Sequence, residues 1–173
     1  MVLPIVKEPE PILRRRALPV KEMTPELERL VQDMIETMRA AEGVGLAANQ
    51  VGSPWNILIA APDPQPGKEI ILVNAAVVRQ KGRVRLPEGC LSLPGISGRL
   101  VRAEEVTVQA QDRSLQPVTL QADGLLAQIL QHETDHLRGR LYVDRLTLWS
   151  RRRLLKRYRH LEQSLSRVNL DRA

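Results

Sequence analysis

Leu125-Leu126-Ala127-Gln128-Ile129-Leu130-Gln131-His132-Glu133-Thr134-Asp135-His136-Leu137 is the stretch around which this chain is organised. Read at helical spacing, Leu125, Ile129, His132 and His136 share one stripe, and Leu126, Leu130, Glu133 and Leu137 form the stripe beside it. A helix with two apolar stripes is largely buried. The spacing therefore predicts a central helix from about Asp123 to Leu137, stopped by Gly139, that carries both imidazoles and Glu133 into a low-water interior. His132 and His136 are one turn apart and reach a single metal ion, and Glu133 lies close enough to handle a proton there, which is the logic of the H-E-x-x-H motif.

Other elements fall around that helix. Thr24 is a suitable N-cap and Pro25 a suitable first helical residue for a helix running to about Ala41. Leu27, Leu30, Val31, Met34, Ile35 and Met38 make its apolar face, and Gly43 is its natural stop. Ile57 to Ala60 and Ile70 to Val73 read as short buried strands separated by a Pro-rich loop, and Val77 to Arg85 as a further strand. Val101 to Gln109 and Leu115 to Leu120 read as a β pair. A third helix spans roughly Leu148 to Leu165, with Leu154, Tyr158, Leu161 and Leu165 inward and arginines outward. The order lacks regular strand–helix alternation, so the expected fold is α+β, with antiparallel sheets around a central metal-binding helix and helices at both ends. The expected organisation is one catalytic domain over 1–147 and a basic helix and tail over 148–173.

Composition sets the limits. With 173 residues the chain can bury a core without disulfides, and its single cysteine has no internal disulfide partner, which fits a reducing compartment. With two Trp, two Tyr and no Phe, the core is aliphatic. No apolar run is long enough for a membrane span, and the first sixteen residues carry no signal or transit pattern, so a cytoplasmic location is expected. The formal charge of +6 is concentrated in Arg151-Arg152-Arg153, Lys156-Arg157-Tyr158-Arg159 and Arg14-Arg15-Arg16. Such clusters are either solvated faces or contacts for anionic partners.

The third ligand decides the chemistry. A metzincin would need histidine where Tyr142 stands, and a thermolysin-like site would need a downstream glutamate, where only Glu162 in the basic helix is available. Cys90, in Glu88-Gly89-Cys90-Leu91-Ser92, is the better ligand; Gly89 beside it permits close backbone approach. From the residues alone, a zinc peptidase and an RNA- or ribosome-binding factor with a structural metal remain alternatives.

Three segments then align with one family. Gly43-Val44-Gly45-Leu46-Ala47-Ala48-Asn49-Gln50, Glu88-Gly89-Cys90-Leu91-Ser92 and Gln131-His132-Glu133-Thr134-Asp135-His136 resemble, in order and spacing, the three motifs of the peptide deformylases, over roughly Ile5 to Leu146. The resemblance implies removal of the formyl group from the N-terminal formylmethionine of nascent polypeptides by metal-hydroxide attack. It implies a metal held by Cys90, His132 and His136, natively Fe(II), with zinc, nickel or cobalt as replacements. It assigns Glu133 as proton carrier, with the Gln50 side chain and the Leu91 N–H as donors to the formyl oxygen. N-formylmethionyl peptides would dock along Val44, Gly45 and Leu46 and past Gly89. Leu125 and Ile129, with Val44 and Leu91, would hold the methionine side chain. Glu88 and Asp135 are expected to brace the site, and Arg102 either to meet a substrate carbonyl or to hold a loop. Two departures stand out: Thr134 replaces an apolar residue, and Gln128 is polar near the pocket stripe, where it bears on side-chain preference. The basic C-terminal helix is expected to dock at the ribosome.

Overall fold

In a computed structural model, the backbone is described for residues 1–170 and the side chains for residues 1–164. The inward position expected for Leu165 and the tail 171–173 lie outside the described residues. The elements in chain order are α1 (Pro25–Ala40), β1 (Gly45–Ala47), β2 (Ile57–Ala60), β3 (Ile70–Lys81), β4 (Val84–Gly89), β5 (Ser97–Arg102), β6 (Glu105–Gln111), β7 (Pro117–Asp123), α2 (Gly124–Leu137) and α3 (Leu148–Leu170).

The helices match their sequence signals closely. Thr24 caps α1, its hydroxyl accepting from Leu27 N–H at 3.4 Å, and Leu27, Val31, Met34, Ile35 and Met38 are buried. The end of α1 differs from expectation. Gly43 N–H reaches back to Met38 C=O at 2.8 Å, but the left-handed residue that turns the chain is Glu42, at φ 53°. In α2, His136, Glu133, Leu130 and Ile129 are buried as the stripes require, whereas Leu125 is 48% exposed because it stands at the mouth of a cavity.

The strands form two antiparallel sheets. One has five strands in the order β1-β2-β3-β6-β7, with β1 at an open edge; the other is the hairpin β4-β5. Two expected strands, Ile70 to Val73 and Val77 to Arg85, are largely one. β3 runs on past Asn74, which adopts φ 55° and shifts the register against β6, and the chain turns only at Gly82. The expected segment Val101 to Gln109 is two strands: its first residues close the β4-β5 hairpin, and the remainder is β6.

The core lies in three parts. Aliphatic side chains of α1 pack on one face of the larger sheet, and Ala127, Ile129, Leu130 and Leu137 of α2 pack on the other. α2 thus passes between the large sheet and the hairpin, which is what the double stripe demands. The third cluster joins the hairpin to Tyr142, Val143 and Tyr158, so α3 is tied to the body through Tyr158 and the half-buried Leu154 and Leu155. Leu161, expected inward, is 37% exposed. Among the described residues no helix is long and apolar enough to cross a membrane.

Candidate metal centre

α2 is fixed on both sides before it presents its histidines. The Gln131 amide brackets the β5-β6 junction, donating to Ala103 C=O at 3.0 Å and accepting from Ala103 N–H at 2.9 Å. At the other end the buried Asn49 donates from Nδ2 to His136 C=O at 2.6 Å. Thr134 is buried, and its hydroxyl is satisfied within the helix, donating back to Leu130 C=O at 2.7 Å. Cys90 arrives from the opposite side, on the tight turn that follows β4, where Leu93 N–H closes onto Cys90 C=O at 2.9 Å.

The result is a compact donor set. The ligand atoms of Cys90, His132 and His136 all lie within 4.8 Å of one another, and this is the one such group among the described residues. Cys90 Sγ is 3.1 Å from His136 Nε2. Ligands of a tetrahedral ion stand roughly 3.3–3.8 Å apart for metal–ligand bonds of about 2.0–2.3 Å, so the set fits one transition-metal ion. His132 uses Nδ1 to contact Glu88 Oε2 at 2.9 Å, which leaves Nε2 for the metal.

Behind His132 stands a buried ionic lattice. Arg102 bonds Glu88 through Nε at 2.7 Å and Nη2 at 2.8 Å, and Asp135 through Nη1 at 2.5 Å; Asp135 also takes Arg145. Arg102 is shielded from solvent entirely and, instead of holding a loop or facing a substrate, joins Glu88 of β4 to Asp135 of α2. Burial raises the Glu88 carboxyl, but the bonds from Arg102 and His132 outweigh it and hold the group down at about 2. Asp135 is likewise lowered, its burial outweighed by Arg145 and Arg102. Tyr142, which sequence reading treated only as a missing ligand, stacks against His132 with ring centroids 6.3 Å apart.

Glu133 has the opposite environment. Its carboxyl is buried, Oε2 has no hydrogen-bond partner, and burial raises its pKa to about 7. Glycine at position 45 leaves the room this side chain occupies: a Cβ there would fall 2.5 Å from Glu133 Oε1. Gly89 is different. A Cβ there would meet nothing nearer than 3.8 Å, so its lack of a side chain is not imposed by packing.

The two imidazoles are driven apart. Burial lowers both, yet bonds to Cys90 and Glu88 leave His132 well above its ordinary value, while His136 is held well below its own by burial and by His132.

Gln50 is oriented from behind. Its Oε1 accepts from Ala47 N–H at 2.8 Å, which turns Nε2 toward Cys90 Sγ at 3.6 Å and the buried Ser92 Oγ at 3.4 Å. The Leu91 N–H has no acceptor among the described residues. Gln50, Cys90, Leu91, His132 and Glu133 line one cavity of about 470 Å³ together with Val44, Gly45, Gly89, Leu125, Gln128 and Ile129. Leu46 does not line it; its side chain is in the core between the large sheet and α1. Leu93, Pro94 and Ile96, which sequence reading did not single out, complete the wall. Asn49, Ser92 and Arg145 were given no role either, although the first two lie within the quoted motifs.

Comparison with known proteins agrees with this geometry. A family model described as polypeptide deformylase matches residues 2–152. The chain is 46% identical over 146 residues to a peptide deformylase of Symbiobacterium thermophilum, covering 84% of this chain and 67% of that protein. It is 40% identical over 167 residues to a peptide deformylase of Aquifex aeolicus, covering 95% and 99%. The crystal structure of a peptide deformylase from Legionella pneumophila superposes with a TM-score of 0.92 at 37% identity, covering 96% of this chain and 99% of that one.

Proposed function

The chain belongs to the peptide deformylase family, and on that footing we propose that it hydrolyses the N-terminal formyl group of formylmethionyl peptides, releasing formate and a free amine. The observation that carries the reading is the convergence of a Cys-His-His donor set, a carboxyl poised near neutrality and an oriented amide on one cavity.

Cys90, His132 and His136 would hold a single divalent ion. One thiolate with two imidazoles suits iron(II), cobalt, nickel or zinc and disfavours magnesium; by family resemblance iron(II) is the native choice. When bound, the ion supplies Lewis acidity and makes water nucleophilic near neutral pH. Glu133 takes the proton from the attacking water and passes it to the departing amine, a task its raised pKa matches. Gln50 Nε2–H and Leu91 N–H donate to the formyl oxygen as negative charge develops on it. The peptide backbone adds as a strand along the open edge of β1, beside Val44 and Gly45. This pairing is blind to side chains, as suits an enzyme that acts on many sequences. Val44, Leu91, Leu125 and Ile129 receive the methionine side chain.

Formate release from formyl-methionyl-alanyl-serine, set against cleavage of the unformylated peptide, separates a deformylase from a peptidase. Glu133→Ala should keep its metal and lose deformylation, whereas Cys90→Ala should lose the metal as well. Full metal occupancy in Cys90→Ala would refute cysteine ligation.

The C-terminal helix is the candidate for ribosome association. Arg152, Arg153, Lys156, Arg157 and Arg159 are exposed along α3, and Trp149 is 81% exposed at its start. Truncation before α3 would also remove the buried Tyr158, so charge is the cleaner variable. Replacing Arg152, Arg153 and Arg157 with glutamate should sharply reduce co-sedimentation with ribosomes, and unchanged co-sedimentation would exclude the helix as the contact.

A further inference from the structure

Val44, Leu91, Leu125 and Ile129, the side chains proposed to receive the methionine, are aliphatic, and one carboxamide adjoins them. Gln128 lies on the α2 face between Leu125 and His132 and lines the same cavity. Its Nε2 donates to Pro87 C=O at 2.9 Å, spanning from α2 to β4 at the rim. A carboxamide has two N–H donors and a carbonyl acceptor. The bond to Pro87 uses one N–H and fixes the plane of the group. The second N–H and Oε1 have no partner among the described residues, and neither Gln128 atom is sealed from solvent without one. The side chain is therefore an oriented, unspent donor at the rim of the cavity, next to the aliphatic Leu125 and Ile129, held in place by the protein before any ligand enters.

Methionine makes little use of such a donor, because a thioether is a weak acceptor. Its oxidised form differs. Methionine sulfoxide keeps the length and the unbranched chain of methionine and adds one strongly polar oxygen that accepts but cannot donate. In a wholly aliphatic pocket that oxygen would be stranded, a loss of roughly 10- to 100-fold in binding. Resting on the deformylase reading, we propose that Gln128 extends the substrate range of this chain to peptides beginning with formylmethionine sulfoxide, its free Nε2–H donating to the sulfoxide oxygen. The bonds made and broken at the formyl group are those of the ordinary reaction, so no additional reactant is needed.

The test compares kcat/KM for formyl-methionyl-alanyl-serine and its sulfoxide in the metal-loaded full-length protein and in Gln128→Leu and Gln128→Glu. Glutamate matches glutamine in size and keeps the acceptors but has no N–H when ionised. The unsubstituted protein should process the sulfoxide within about tenfold of the thioether, since a neutral hydrogen bond recovers about that factor. Both variants should lose about a further tenfold on the sulfoxide relative to the thioether. If Gln128 serves only to join α2 to β4, both substrates fall together and the ratio is unchanged, which overturns the proposal. Release of formate from neither peptide by the unsubstituted protein would overturn the deformylase reading itself, whereas turnover of the thioether alone would overturn only the sulfoxide inference.

Discussion

Arg102 grips Glu88 with two parallel hydrogen bonds, Nε to Oε1 at 2.7 Å and Nη2 to Oε2 at 2.8 Å, and Glu88 in turn holds Nδ1 of the metal-site residue His132. A residue that touches neither metal nor substrate thus sets the orientation of a ligand. Arg102→Ala would leave Glu88 and Asp135 buried without their shared cation. Breaking a buried pair in this way costs about 3–5 kcal/mol, and loosening the partner of a ligating histidine costs about 10- to 100-fold in metal affinity. Urea unfolding and competition with a metal-binding dye measure the two effects. Arg102→Lys should recover little of either, because a single ammonium cannot reproduce the planar fork. Metal affinity unaltered in both variants would remove Arg102 from the site.

Gln50 is expected to act on rate and not on metal content. In Gln50→Glu the acceptor for Ala47 N–H survives, but the N–H facing Cys90 and Ser92 does not. Loss of one donor to a developing oxyanion lowers the rate by about 10²–10³. Steady-state kinetics alongside metal analysis check this; a variant that turns over normally would exclude Gln50 as a donor.

The two halves of the site differ in how far they could be read beforehand. α2 was legible because its period, its ligands and its proton carrier lie within fourteen consecutive residues, where spacing alone fixes which side chains share a face. The β4-β5 hairpin was not. Its strands carry Arg85 in one and Arg99 and Arg102 in the other, so they lack a clean apolar alternation. Arg102 is inside only because Glu88 and Asp135 meet it there, from 14 and 33 residues away. No local pattern encodes that. β3 was read as two strands, Ile70 to Val73 and Val77 to Arg85, with Asn74 falling in the gap between them. Asn74 is in fact a bulge, whose side chain bonds both the backbone of Val20 and Gln111. Gly45 was assigned to substrate docking; that glycine there also makes room for the Glu133 carboxyl and Ile129 on α2 had no signal in the local sequence.

Glu133 gives the metal-free protein a pH-dependent stability of definite sign. Its carboxyl is raised from 4.5 to about 7 by burial, so the folded chain favours the protonated form. Below about pH 4.5 folded and unfolded chains both carry the proton, and the contribution is fully present. As pH rises toward 7 the unfolded chain ionises first and stability is lost; beyond about 7 the loss levels off at roughly 3 kcal/mol. The metal-free Glu133→Gln protein should therefore unfold at higher urea than the unsubstituted chain at pH 8 and at the same urea at pH 4. Coincident curves at pH 8 would show that Glu133 ionises there without penalty.

Gly45→Ala separates the catalytic carboxyl from the rest of the site. The added Cβ would fall 2.5 Å from Glu133 Oε1 and 2.7 Å from Ile129 Cγ2. The Glu133 atom ends a flexible side chain, so the carboxyl can swing aside, while the stiff, buried Ile129 must also shift slightly to clear the methyl group. Cys90, His132 and His136 are not in the path of the new methyl group, and metal binding should persist. A carboxyl displaced by about 1 Å from the proton it must move costs about 10²-fold in rate. The expected variant is folded, metal-loaded and nearly inactive, with its loss in kcat larger than in KM. Circular dichroism, metal analysis and formate release test the three properties separately. An active Gly45→Ala protein would show that the position of Glu133 does not limit the reaction, and a metal-free one would show that β1 braces the ligands as well as the base.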